Sequence, residues 1–227
     1  MKGGEMPIAV TAGAPIQALQ EKVYLRIKES IINCDMMPGS VISEERLALE
    51  SGTSRTPIRE ALLRLQRENL VVIFPRQGTF VSQISLRDIH DIFQIRLVIE
   101  PRVARSAGAN MDPAILEGFR NFFGTIDAGA GSFTSWFQQD RDFHSYIIDS
   151  CGNRHLTQMY ASIMDQNQRM RILAGKIPQR IQDTNLEHAE IVDALLSRDE
   201  DRIERLMTAH ILASRNAALK IEDFMQS

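Results

Sequence analysis

Residues 53–69 read TSRTPIREALLRLQREN. Ile58, Ala61, Leu62 and Leu65 recur at helical spacing and form one apolar stripe. Ser54 has the place of an N-cap. Pro57 lies in the first turn, where the early N–H groups have no helical partner. Arg55 and Arg59 stand four apart, so two fixed positive charges share a face beside the stripe.

Upstream, Gly52 has the place of a residue just beyond a helix end. Ser43 offers another N-cap, followed by Glu44 and Glu45 where a helix dipole favours acids. Leu47 and Ala48 form the inward face of that short helix. A longer helix precedes it, with Leu19, Val23, Ile27 and Ile31 recurring every four positions. Met37-Pro38-Gly39-Ser40 is its expected stop. Downstream, LVVIFPRQGTFVSQ (70–83) reads as two short β-rich runs around Pro75-Arg76-Gln77-Gly78, a hairpin pattern. Helix, helix, tight turn, helix, hairpin is the order of a winged helix-turn-helix. It is expected over 16–83, after a flexible arm over 1–15 rich in Gly, Ala and Pro.

From Leu86 onward no further strand is indicated. Helical periodicity runs through 87–109, 113–128, 133–150, 153–174, 178–197 and 199–222. The chain is therefore expected to be mainly α, a winged helix-turn-helix followed over 84–227 by an all-α bundle large enough for its own core. The join near Ser82–Arg87 is short, so coupled domains are expected.

Length and composition agree. At 227 residues the chain has room for two ordinary domains, and 44% hydrophobic with 24% charged residues is usual for a globular protein. No apolar run approaches the roughly 18 residues that span a bilayer, and the N-terminus lacks the core of a signal peptide. Cys34 and Cys151 have no C-x-x-C spacing, so neither a disulfide framework nor a thiolate zinc site is indicated. A cytoplasmic protein without membrane contact is expected. The net charge is −3, but residues 54–80 hold five Lys/Arg against two Asp/Glu, a positive island in the N-terminal third.

That island suggests double-stranded DNA as partner. A helix entering the major groove leads with its N-terminal residues. Arginine can bond guanine O6 and N7 together, each such pair supplying about 1–3 kcal/mol of discrimination. Arg55 and Arg59 fit that role, while Ser54 and Thr56 can reach phosphates. Arg76 could lie along the backbone or in the minor groove, and Gly78 permits close approach or a positive φ. An ordinary solvated first turn is the bland alternative.

The Pro38-Gly39 turn, Leu47-Ala48, the SRTP–REAL run from Ser54 to Leu62 and Gly78-Thr79-Phe80-Val81 together resemble the DNA-binding domain of the GntR family of bacterial transcription regulators. The resemblance implies a homodimer on an inverted-repeat operator, with Arg55 and Arg59 reading bases, and Thr56 and the wing around Gly78 touching backbone or groove. Glu50-Ser51-Gly52-Thr53 departs mildly from the family pattern around the glycine.

A second constellation lies downstream. Asp140 and His144 are four apart on one expected helix and so project together. His188 is in phase with Ile191, Val192 and Leu195, and His210 with Ile203, Leu206 and Met207. Three imidazoles and a carboxylate thus aim inward, a donor set suited to a divalent ion of the Zn, Ni or Mn class. A histidine alone reads as a hydrogen-bonded core group, the Asp140–His144 pair as a simple helix-surface contact, and His90 is left with the core reading. RLVIE (96–100), DRDFH (140–144) and the run from Glu187 to Ile211 are similar to the helical FCD domain of the FadR subfamily. The resemblance implies a divalent metal on Asp140, His144, His188 and His210 beside a small carboxylate effector. Arg96, followed by Ile99 where the family has leucine, is a candidate effector contact. Arg169 is another, although it and Arg171 read equally as a solvated basic stripe. A ligand-responsive repressor is expected. The rivals are a metal hydrolase joined to a DNA-binding module and a regulator that senses metal alone.

Overall fold

The computed structural model describes residues 16–125, 133–174 and 178–220. The arm over 1–15 lies outside them, as do 126–128 and 221–222 of the expected helices. The chain divides into two compact units, Met1–Gln83 and Ile84–Ser227.

The first unit runs α1 (Ile16–Ile32), β1 (Val41–Ile42), α2 (Glu44–Ser51), α3 (Arg55–Arg67), β2 (Val71–Phe74) and β3 (Gly78–Val81). α1 stops before the Pro38-Gly39 turn. Cys34 turns left-handed at φ 57°, and the Met36 N–H donates back to the Ser30 carbonyl at 3.0 Å. Ser43 caps α2, its hydroxyl accepting from the Arg46 N–H at 3.2 Å. Gly52, at φ 62°, closes the helix. Ser54 stands in the cap position of α3, yet its hydroxyl makes no capping bond; position, not a side-chain hydrogen bond, marks that start. Ile58, Leu62 and Leu65 are sealed against Ile27 and Ile31 of α1, with Leu47, Leu70 and Val81 around them.

β1 has no signal in the sequence, since two residues carry no alternation to read. It pairs antiparallel with β3, which also pairs with β2, giving the order β1-β3-β2. At the wing tip the Gln77 N–H donates to the Phe74 carbonyl at 3.1 Å, and Arg76 sits at φ 66°. With Pro75 ahead of it this is the pattern of a type II turn, whose third position normally holds Gly or Asn. An arginine there costs about 1–3 kcal/mol of backbone strain.

The second unit is helical throughout its described residues: α4 (Leu86–Ala107), α5 (Pro113–Thr125), α6 (Phe133–Asp149), α7 (Arg154–Ala174), α8 (Pro178–Ser197) and α9 (Glu200–Ala218), with a 3-10 turn over Gly108–Asn110. Ser85 and Asp88 form a capping box at the start of α4. Phe93, Phe143, Ile147, Met170, Ile191, Val192, Met207 and Ile211 bring five of these helices into one core. His90 is not a core histidine: it is exposed on α4 beside Asp91.

Ile58 is fully buried under α1, so Ile58→Ala should cost about 2–5 kcal/mol by leaving a cavity. Urea denaturation of the full chain checks this. A loss below about 0.5 kcal/mol would mean that the α3 stripe is not the core of this unit.

Candidate nucleic-acid face and metal centre

Ser54, Arg55, Thr56 and Arg59 are all exposed at the N-terminal end of α3. The Arg55 and Arg59 side chains keep 55% and 64% of their surface, yet each already touches an acid of α2. Arg55 Nη2 lies 2.9 Å from Glu45, and Arg59 Nε donates to Glu44 at 2.7 Å. Sequence reasoning misses these pairs, because it sets Glu44 and Glu45 only against their own helix dipole. Exposed pairs of this kind contribute at most about 1 kcal/mol, so they steady the side chains without fixing them. Arg76 and Gly78 are exposed at the wing tip, Gly78 at φ 124°. Arg64 is engaged elsewhere, paired with Glu21 and lying 3.5 Å over the Tyr24 ring.

In the helical unit Asp140, His144, His188 and His210 come together from α6, α8 and α9, each at most 2% exposed. His210 Nε2 lies 3.2 Å from His144 Nε2 and 3.3 Å from His188 Nε2. Asp140 lies 3.8 Å from His144 Nε2 and 3.6 Å from His188 Nε2. Two nitrogens on a tetrahedral ion at about 2.0–2.1 Å would stand roughly 3.3 Å apart, so the spacing fits.

Carboxylates behind the rings orient them. Glu100 accepts from His144 Nδ1 at 2.6 Å, and Glu187 from His210 Nδ1 at 2.7 Å. A carboxylate only accepts, so each Nδ1 carries the hydrogen and the lone pair of the neutral ring lies on Nε2, facing inward. His188 Nδ1 has no such partner among the described residues; Phe123 and Phe143 pack on its ring. Neither Asp140 oxygen makes a well-formed hydrogen bond among the described residues, although Arg171 Nη1 lies against Oδ2 as an ion pair. The charge contact is real, and its geometry still leaves acceptor capacity on a buried carboxylate. A buried carboxylate with acceptor capacity left and converging imidazole lone pairs both fit a cation.

Arg96 is buried on α4. Its Nε donates to Glu100 at 2.5 Å, and its Nη1 to Asn167 at 2.9 Å. Tyr160 also donates to Glu100. Arg169 is fully buried on α7, its Nη1 donating to Gln166 at 2.8 Å. Neither Arg169 nor Arg171 belongs to a solvated stripe: Arg171 is only 12% exposed and reaches Asp140. Arg171 also borders a cavity of ≈ 40 Å³ with Trp136, Phe137, Arg180, Thr184 and Ser214. Arg180 holds Glu187 with two bonds, at 2.6 and 3.0 Å.

Burial disfavours charge on two of the rings. It pushes His210 down to about 4, with Glu187 pulling up and His144 pushing down, and it holds His188 well below 6.5. Glu100 is held far below the usual carboxylate range: the flanking Arg96 and His144 overcome the burial that would raise it. Arg96 is correspondingly held above its ordinary value. Glu100 had a signal in the sequence, four residues after Arg96; Glu187, next to His188 in a charged helix, had almost none.

A winged helix-turn-helix with outward arginines, joined to a helical unit with a buried histidine cluster, defines a DNA-binding protein with a second, helical domain. Residues 19–81 match the bacterial regulatory proteins of the gntR family, and residues 91–213 match the FCD domain. The chain belongs to the GntR-family transcriptional regulators that carry an FCD domain. The family consists of DNA-binding regulators rather than enzymes, which sets the hydrolase reading aside. The HTH-type transcriptional repressor RspR of Escherichia coli K12 is 26% identical over 199 residues, covering 87% of each chain. A putative transcriptional regulator GntR from Rhodococcus sp. RHA1 shares the fold at a TM-score of 0.78 and 19% identity, over 89% of this chain and 98% of that one. The Zn2+-bound FCD domain of TM0439 is similar at a TM-score of 0.53 and 17% identity, over 64% of this chain and all of that one. Among the described residues no helix is long and apolar enough to cross a membrane.

The depressed histidines give a stability prediction. The fold keeps His188 and His210 neutral at pH values where an unfolded histidine, near 6.5, gains a proton. Their contribution is therefore complete above about pH 6.5 and is lost as the pH falls towards 4. In chelator, the thermal midpoint should already drop between pH 6.5 and 5, before most carboxylates titrate. A flat midpoint across that interval would mean that the rings protonate inside the fold.

Proposed function

We propose that this protein is a cytoplasmic homodimeric repressor whose operator affinity depends on a small organic acid bound beside a divalent metal of the Zn, Ni or Mn class. The observation that carries the metal is the convergence of three imidazole nitrogens within 4.8 Å of one another, next to a buried carboxylate. Asp140, His144, His188 and His210 would hold the ion, with Glu100 and Glu187 keeping two rings aimed. A bound ion with an open position supplies a place for a carboxylate oxygen. Arg171 and Arg180 border the adjoining cavity and are the added candidates for the acid's other charge. Arg169 stays in the proposal as a contact, while Arg96 serves through Glu100. The zinc-bound FCD relative and the repressor relative support the reading by analogy.

On DNA, Arg55 and Arg59 read base edges, Ser54 and Thr56 meet phosphates, and Arg76 and Gly78 at the wing tip lie along the backbone or minor groove. A dimer on an inverted repeat spans half-sites about 34–36 Å apart or a multiple of that. The acid acts by binding one dimer geometry better than another. A coupling of about 1–3 kcal/mol is enough to change occupancy.

Two substitutions test the halves separately. Arg59→Ala should lose about 1–3 kcal/mol of affinity for an operator selected from genomic fragments, with binding to random duplex much less affected. Unchanged operator affinity would remove Arg59 from the reading face. His188→Ala should strip most of the metal that the purified protein carries, by elemental analysis; parent-level content would overturn the ligand set. Operator affinity with metal alone, and with metal plus acid, distinguishes the effector reading from a pure metal sensor.

A further inference from the structure

Three arginine–carboxylate pairs surround the histidine cluster: Arg96 with Glu100, Arg180 with Glu187 and Arg171 with Asp140. The first two carboxylates stand behind imidazole rings. The third is itself one of the four converging groups. Arg171 thus sits on the one acid that a metal would need. Resting on the metal reading above, we propose that Arg171 is a built-in competitor for Asp140. A divalent ion displaces its guanidinium, which then holds a carboxylate of a small dicarboxylate in the adjoining cavity, so that metal and acid bind with positive cooperativity.

The side chain is placed for both roles. Its Nη1 lies against Asp140, while its guanidinium carbon is 5.3 Å from the Trp136 ring centroid and 5.5 Å from that of Phe137, in the cavity wall. Its Nη2 is buried without a hydrogen-bond partner among the described residues. Exchange between the carboxylate and the cavity therefore needs no change of helix. Arg180 lines the same cavity, so Arg171 has a second cation beside it. A guanidinium held among cations by one acid requires another anion once that acid is taken.

Charge balance selects the class of acid. The three pairs cancel, so a divalent ion adds two positive charges to a desolvated site. A dianion offsets the charge of the ion and a monocarboxylate only half of it, where charge is costly; the buried Arg169 adds a further positive charge. The cavity of ≈ 40 Å³ suits a small acid.

Isothermal titration of the whole chelator-stripped chain tests this with zinc chloride, malonate, succinate, glutarate and acetate as probes. At least one dicarboxylate should bind about tenfold or more tighter after zinc than before it, with acetate gaining far less. Arg171→Gln should bind zinc as tightly as the parent or tighter, because the competitor is gone, and should lose the zinc-dependent gain for the dicarboxylate. Failure of zinc to bind the parent chain would sink the metal reading, and this proposal with it. With zinc bound, two results overturn the proposal alone: dicarboxylate affinity that ignores zinc, or an Arg171→Gln protein that binds zinc several-fold more weakly. Should that variant not fold, the parent titrations with and without zinc still decide.

Discussion

Charge removed from water has to be matched, and the helical unit is arranged around that requirement. Glu100 is fully buried, and it accepts from Arg96 on its own helix, from His144 on α6 and from Tyr160 on α7. One carboxylate therefore ties three helices together at a defined rotation. An apolar contact would tolerate α6 turning by part of a residue, but these bonds would not. A buried ion pair adds little net stability over well-packed apolar groups, whereas removing one partner costs about 3–5 kcal/mol. The pair contributes orientation: it decides which way His144 faces. Glu187 does the same for His210, with Arg180 behind it.

Much of this is legible in the sequence because helices have a period. The Asp140–His144 spacing and the phases of His188 and His210 against their apolar neighbours locate the four converging groups. The same reasoning finds the α3 stripe and the hairpin. What periodicity does not supply is rotation between helices. Arg169 and Arg171, two apart, point in different directions, and only the packing of α7 shows that Arg171 meets Asp140. Arg96 reads as a grip for a ligand carboxylate because its internal partner, Glu100, is an ordinary helix neighbour until both are buried. α1 ends ahead of its expected Pro-Gly stop for a local reason. Cys34 adopts a left-handed φ, and no residue rule assigns that to cysteine. Ser54 keeps the cap position without the cap bond, which shows that position and hydrogen bonding are separate properties.

The DNA-facing unit follows the opposite rule. Its core is apolar, and its charges stay in water, where pairs such as Arg55–Glu45 and Arg59–Glu44 are weak enough to exchange. Phosphates and base edges offer such guanidinium groups better partners than an exposed glutamate does, because charge-assisted bonds to them form in a partly desolvated groove. The acids still matter. Each offsets one positive charge at the first turn of α3, and that weakens attraction to any phosphate, whatever the sequence.

Arg76 extends this argument to the wing. It carries backbone strain at φ 66°, in an exposed turn where packing does not demand an arginine and where glycine or asparagine would be relaxed. Strain that packing does not explain points to a role for the side chain. Arg76 belongs to the positive island over residues 54–80, and the role proposed for it is contact with the nucleic acid. The proposed role of the wing therefore rests on a conformational cost as well as on the charge of its tip.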